Sequence, residues 1–582
     1  MDRTVIEHVV APHGGSLVNL MADEARADEL KQQSRDWPSW DLNLRQLSDI
    51  ELLMNGGYSP LKGFMNRSDC ESVCRSMYTT EGTLWPMPLY LDVTREFADK
   101  VSEGDSISLR DPEGGMLAVV KVEQMWEPDL AADAARLFGA DNSEHAGVAR
   151  FLKMTNPVFL AGSVEGVQLP AYFDFQSLRL TPADVRREFT RLGWLAVVGV
   201  QTDRLIHRAD QGFLYRAALK AKANLLIHPV VDISRSHDKS YYSQIRCYRA
   251  LMFYFPLHTA RLSLSPLQRR FAGPRETIWH ALVNKNFGCS HFVVDPTHTD
   301  PNAETGDSLY YPEDEHTSLW DDHVDKVGVV PIKHEQLVYV RDSDDYLPAS
   351  SVDGSQRILT LSETELHGRL EDGKEIPTWF TFPEIARELA RAHLPRHKQG
   401  FTIFLTGLSG AGKSTVASVL RARLMQMGQR PVTLLDGDIV RKHLSSELGF
   451  SKEDRNINIR RIGFVASEIT KNGGIAICAP IAPYETVREE VRQMITPLGG
   501  FVLVHVATPL EVCEVRDRKG LYQKARKGII KEFTGISDPY ETPKKPDVRL
   551  DTTGLTPAES AWEIMVHLER EGYIAAPSDD EM

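Results

Sequence analysis

The chain is poor in cysteine. Its 582 residues hold six thiols, Cys70, Cys74, Cys247, Cys289, Cys478 and Cys513, and no CxxC pair. Thiols this few and scattered signal neither a disulfide framework nor a tetrahedral zinc site. Cys70 and Cys74, four apart, read as buried filler on one helix face. Also missing is any apolar run near the ~20 residues of a membrane span. The opening MDRTVIEHVVAPHGG has acids and no apolar core, unlike a secretory signal. Nor is there a basic excess: 67 Lys plus Arg face 81 Asp plus Glu, a net charge of −14. That balance argues against a broad nucleic-acid surface, though not against a local basic pocket for a small anion. A cytoplasmic protein without nucleic-acid or membrane partners is expected. With 42% apolar and 25% charged residues the chain reads as globular, and its length calls for several domains.

Three textures follow one another. Residues 1 to about 170 alternate short apolar runs with Gly and Pro turns, a β-rich pattern. From about 171 to 390, runs such as LAVVGV and HFVVD alternate with helical stretches, as α/β units do. FPEIARELARAHL then leads into PRHKQG (395–400), a polar stretch suited to a hinge. Beyond 400 the runs FTIFLTG, VTLLD, GIAICAP and FVLVHVA recur with amphipathic segments between them, which predicts a parallel sheet with crossover helices. The tail APSDDEM is expected to fray.

The sharpest motif is Gly407-Leu408-Ser409-Gly410-Ala411-Gly412-Lys413-Ser414, followed by Thr415, placed after a strand and opening a helix. Glycines let backbone N–H groups curl around phosphate oxygens, and the helix N-terminus adds its dipole. Lys413 is expected on the β/γ-phosphates of ATP and Ser414 on Mg²⁺. The next strand ends in Asp436-Gly-Asp438, at the sheet edge where such folds bind ligands. Both carboxylates are candidates to orient the metal or an attacking hydroxyl.

Residues 400–575 resemble adenylylsulfate (APS) kinase along their whole length. The likeness is carried by GLSGAGKST, LDGDIVR, LGFSKEDRNINIRRIG, PIAPYETVRE and KGLYQKARKGIIKEFTGISDPYE. It implies transfer of the ATP γ-phosphoryl to the 3′-hydroxyl of APS, giving PAPS. Asp438 is then the first candidate to position that hydroxyl, with Asp436 second. Arg441, Arg455, Asn458, Ile481 and Lys519 match the family's APS-binding positions, and Phe450 and Phe533 match an aromatic sandwich for adenine. Arg forks suit a phosphate–sulfate anhydride. Among the 18 residues from Arg516 to Phe533, seven are Lys or Arg and two are acidic, as expected of a lid over polyphosphate. Ala482 stands where the family commonly has Ser.

Residues 1–390 resemble ATP sulfurylase, through PHGGSLVNL, the 53–65 stretch LMNGGYSPLKGFM, HPVVD, RCYRALMFYFP, FAGPRE and PTWFTFPE. The two resemblances imply an α/β multidomain protein. It would comprise a PUA-like β-rich domain (1–170), a Rossmann-like nucleotidyltransferase domain (171–395) and a P-loop kinase domain (396–582), assembled as a dimer or hexamer.

Where the sulfurylase family reads QTRNPxHxxH, this chain keeps Gln201 and His207 but has Asp203 and Asp210 in place of an Arg and a His. The GRDHAGP loop becomes Asp295-Pro296-Thr-His298-Thr-Asp300-Pro301, and ISGT becomes Leu361-Ser-Glu363-Thr, with His367 near the expected Arg. Arg270 persists in QRRFAGPRE, and Arg204 lies one place from the lost Arg. Two unit charges ~4 Å apart interact by ~4 kcal/mol at an effective dielectric near 20. Inverted charge at an anion site would therefore cost at least ~10³-fold in rate. The expectation is an APS kinase on a catalytically dead sulfurylase scaffold. The alternatives are a fully bifunctional enzyme, or a PAPS-sensing C-terminal domain like those of fungal sulfurylases, whose P-loops are lost.

Overall fold

The computed structural model describes residues 9–231, 239–302, 308–517 and 519–574. The tail expected to fray and Asp232 of HPVVD lie outside them. Among the described residues no helix is long and apolar enough to cross a membrane. The chain divides into two compact units. The first runs to Ser362 and takes back Ile376–Ala392; the second comprises Glu363–Glu375 and everything from His393.

The first unit holds two large sheets. In the N-terminal one the long strands Met116–Trp126 and Val158–Gly166 pair antiparallel, flanked by Ser106–Arg110, Ser39–Asp41, Gly63–Phe64 and Leu91–Val93. Strand content agrees with the turn-punctuated sequence, but helices also occupy this stretch. Leu44–Met54 buries nine of its eleven residues, all round the helix, with Gln46, Ser48, Asp49 and Glu51 among them. The second sheet is wholly parallel, ordered Val330–Lys333, His291–Val294, Val197–Thr202, Asn224–Pro229, Ala260–Leu262. Its central strand VVGVQT is buried along most of its length, as a strand covered on both faces must be. One continuous core joins residues of both sheets, from Leu42 through Val197 and Leu226 to Cys289.

The second unit is a five-stranded parallel sheet ordered Val432–Asp436, Ile475–Ala479, Phe401–Thr406, Gly500–Val506, Val548–Leu550. Alternate residues of the central strand face different cores. Phe401, Ile403 and Leu405 pack toward Val416, Leu420 and Ile564, whereas Phe404 packs toward Ile462, Val487 and Val491. Residues 395–400 are tied within this unit: Arg430 donates to Gln399 O, and Arg396 reaches Tyr573 Oη at 3.1 Å. All six thiols are free and buried.

Candidate active sites

In the second unit, the central strand Phe401–Thr406 delivers its C-terminal end to the glycine loop, and helix Lys413–Gln426 leaves it. Gly407, Gly410 and Gly412 all take positive φ, at 153°, 78° and 102°. A Cβ on Gly407 would sit 2.4 Å from Val506 O, so backbone packs where a side chain would be. The rear of the loop is pinned by Thr508 and Thr552, whose hydroxyls donate to Ala411 O at 3.1 and 2.9 Å. Lys413 Nζ donates to Gly407 O (2.9 Å) and Leu408 O (2.8 Å), lying across the cradle. Burial pushes its ammonium down to about 8.

At the mouth, Ser414 Oγ donates to Asp436 Oδ2 at 2.7 Å, while Asp436 Oδ1 caps helix Gly437–Leu444 through Asp438 N. A hydroxyl and a carboxylate side by side at a phosphate cradle are oxygen donors of the kind Mg²⁺ takes. Asp438 is exposed and forms an ion pair with Lys519. Arg441 donates to Leu448 O and Gly449 O and lies over the Phe450 ring, 4.6 Å from its centroid. Phe450 is itself exposed. Phe533 packs edge-on to Tyr522, whose hydroxyl donates to Ser409 O at 2.8 Å. Arg455 and Asn458 share a face of helix Lys452–Lys471. Arg455 Nη2 and Asn458 Oδ1 are buried and, among the described residues, without a hydrogen-bond partner. Ile481 O accepts from Thr406 Oγ1 and Gly407 N, and buried Ala482 is left-handed at φ 44°. Of the basic stretch 516–533, Arg516 is bound to Thr552 and Arg526 to Glu514, so these two cations brace the local structure.

In the first unit the altered residues gather at the C-terminal ends of strands Val197–Thr202 and His291–Val294. Gln201 Oε1 accepts from Asn284 Nδ2 at 2.7 Å. Asp203 is not an unopposed charge: Arg269 lies 2.7 Å from its Oδ2, and His298 Nδ1 3.2 Å from its Oδ1. Burial alone would push this carboxyl up, but His298, Arg269 and Arg204 together hold it at about 2. Arg204 Nη2 donates to Asp295 Oδ2 (3.1 Å) and Thr297 Oγ1 (2.5 Å), placing a cation on the loop that lost its own. Pro296 opens the short turn Pro296–Thr299. Asp300 accepts from the backbone of Asn302 and Tyr311. Asp210 accepts from His207 N at 3.0 Å, completing the start of helix Arg208–Ala221, where a carboxylate offsets the helix dipole. His207, pushed down to about 4 by burial, is neutral and bonds Thr381.

The carboxylates at the altered positions of the first unit have partners within the protein. Asp203 is neutralised by ion pairing, and Asp210 and Asp300 are committed to backbone N–H groups. Arg270 is paired with both Asp49 oxygens, at 2.8 and 3.0 Å. Its neighbour Arg269 is the one paired with Asp203, and QRRF in the sequence did not distinguish the two. His367 lies on helix Glu363–Glu371, which belongs to the second unit, with its ring 5.4 Å from that of His393.

Family models match along the chain: a PUA-like domain over 10–169, ATP-sulfurylase over 176–392 and adenylylsulphate kinase over 399–551. A sulfate adenylyltransferase from Neosartorya fischeri is 43% identical over 97% of this chain and 99% of its own length. One from Mycosarcoma maydis is 41% identical over 97% of this chain and all of its own. A solved structure, the hexameric APS kinase from Thiobacillus denitrificans, superposes with a TM-score of 0.79 at 40% identity, over 98% of this chain and 100% of that one. The expectation of a catalytically dead sulfurylase region is overturned by relatives that carry the sulfate adenylyltransferase name at this identity over nearly the whole chain. Cradle, parallel sheets and full-length likeness converge: the chain belongs to the sulfate adenylyltransferase family, with an adenylylsulphate kinase domain at its C-terminal end.

Proposed function

We propose that the protein activates sulfate in two steps, forming APS from ATP and sulfate in the first unit and PAPS from APS and a second ATP in the other. The observation that carries this reading is 43% identity to a sulfate adenylyltransferase over 97% of a chain whose P-loop is intact. In the kinase step the cradle Gly407–Thr415 holds the triphosphate of ATP. Lys413 places its charge on the β/γ-phosphates, and Ser414 with Asp436 would hold Mg²⁺, which would offset phosphate charge there. Asp438 orients the 3′-hydroxyl of APS, since phosphoryl transfer depends mostly on alignment and charge stabilisation. Arg441, Arg455, Asn458, Lys519 and the backbone at Ile481 meet the acceptor, with Phe450 and Phe533 flanking its adenine. In the first step Gln201, His207 and the cations Arg204 and Arg269 face the anionic reactants.

The residue spans 1–170, 171–395 and 396–582 correspond to the PUA-like, nucleotidyltransferase and kinase parts of this proposal. A homo-oligomer is proposed from likeness to a relative described as hexameric. A cytoplasmic setting is supported by six unpaired thiols. The test supplies purified protein with ATP, labelled sulfate and pyrophosphatase, and chromatographs the products. Labelled PAPS is expected from the unaltered chain, and labelled APS alone from Lys413→Ala. No labelled nucleotide from either protein, with PAPS still formed from added APS, overturns the first step. PAPS from Lys413→Ala overturns the second.

A further inference from the structure

The segment Phe533–Glu541 closes against the kinase site through one carboxylate. Asp538 Oδ2 accepts from Arg455 Nη1 and from Tyr484 Oη, both at 2.8 Å. The same Nη1 also donates to Thr534 Oγ1 at 2.9 Å, so one branch of the guanidinium is fully engaged by this segment. The other branch, Nη2, is buried and has no hydrogen-bond partner among the described residues. Three residues on, Asn458 Oδ1 is buried in the same condition. Leaving such groups unmatched is costly, and a bound ligand would relieve it.

Asp538 is itself held rigidly. Its N–H donates to Phe533 O, and its carbonyl accepts from Gly535 N at 2.7 Å. Gly535 is left-handed at φ 91°, and a Cβ there would meet Leu408 of the phosphate loop at 2.9 Å. Three residues on, Glu541 N donates to Pro483 O, and Arg488 bridges Glu541 O and Ala482 O at 2.7 Å each. One turn thus connects the ATP loop, the 481–484 segment and Arg455. Burial and Asp538 together push the Tyr484 hydroxyl up to about 12, so it stays a donor.

The geometry points to Asp538 as a positioning residue for the acceptor. It fixes one arm of Arg455 so that the other is presented, already oriented, to the anionic end of APS. This rests on the kinase reading and on Arg455 as an acceptor ligand. A carboxylate gripping one branch limits the rotamers Arg455 can sample, lowering the entropy lost when APS binds. The effect belongs to acceptor affinity and not to ATP.

The test measures PAPS formation by the full chain at saturating ATP and varied APS, for Asp538→Asn, Arg455→Ala and the double variant. Thermal midpoints check the fold. Asp538→Asn keeps the shape and one acceptor oxygen but loses the charge-assisted contact. We expect it to raise KM for APS about 10-fold, with kcat within about 3-fold and KM for ATP unchanged. In the Arg455→Ala background it should add nothing. Unchanged KM for APS, a full penalty persisting without Arg455, or kcat and the ATP KM moving together would overturn the role of Asp538. If Arg455→Ala itself left KM for APS unaltered, the failure would lie in the assignment of Arg455 to the acceptor.

Discussion

Ser414 and Asp436, 22 residues apart, meet in a 2.7 Å hydrogen bond that joins the first turn of the P-loop helix to the end of the edge strand Val432–Asp436. A hydroxyl and a carboxylate so joined are pre-set for one divalent cation. Asp436→Asn should lower kcat for PAPS formation by at least ~10²-fold, the scale of losing one preorganised electrostatic contact. It should also raise the Mg²⁺ concentration needed for half-maximal rate. Coupled ADP release across a Mg²⁺ series checks both.

Asp438 has a different neighbour, the exposed ammonium of Lys519. Asp438→Asn is expected to reduce kcat about 10²-fold while leaving the Mg²⁺ dependence unchanged, as an orienting group for a hydroxyl should. A shift in Mg²⁺ dependence matching that of Asp436→Asn would reverse the roles of the two carboxylates.

Lys413 carries a pH signature. Its folded value, about 8, lies below the 10.5 of an ordinary lysine, so between these values the unfolded chain holds a proton that the folded, nucleotide-free chain does not. Stability of that state should therefore rise with pH across this window, and Lys413→Met should flatten the rise. Phosphate favours the charged ammonium, so ATP binding above about pH 8 should take up a proton. Calorimetry in buffers of different ionisation enthalpy reads that uptake.

Asp203 gives a slope of the same sign in the acid range. Its folded value, about 2, lies below the 3.8 of an ordinary aspartate, so its pairing contributes stability that is present above about pH 4 and lost as pH falls toward 2. The contribution is on the order of 2 kcal/mol. Asp203→Asn should remove that acid dependence from urea midpoints measured between pH 5 and 2.5. Arg269→Ala should be the more harmful of the two at neutral pH, because it strands a buried carboxylate.

Gly407→Ala tests the cradle's backbone. Both the positive φ and the 2.4 Å approach to Val506 O forbid a methyl group there. We expect a loss of about 2–4 kcal/mol in chemical denaturation, together with weaker ATP binding.

Legibility followed the range of the interactions. The phosphate cradle is local: a strand, a glycine loop and a helix start adjoin in the chain, so Gly407–Thr415 could be read residue by residue. Four of the five parallel strands of the second unit were legible for the same reason, through their apolar runs, and Val548–Leu550 was not. Asp538 was visible only as part of a family-like segment, since its partners Arg455 and Tyr484 lie 83 and 54 residues away. The placement of Glu363–Glu375 with the second unit had no local signal at all.

The sequence by itself determined the fold class of each region and the glycine loop that links a strand to a helix at 407–415, because hydrophobic period and loop chemistry act between near neighbours. Only the tertiary structure decided what the altered charges in the first unit mean. Asp203 reads in sequence as a bare negative charge, yet Arg269, brought from 66 residues away, pairs with it, and His298, from 95 residues away, hydrogen-bonds it. Asp210 reads as a repulsive replacement and serves as a helix start. The field at a site is a sum over charges close in space, and chain order does not state which ones those are.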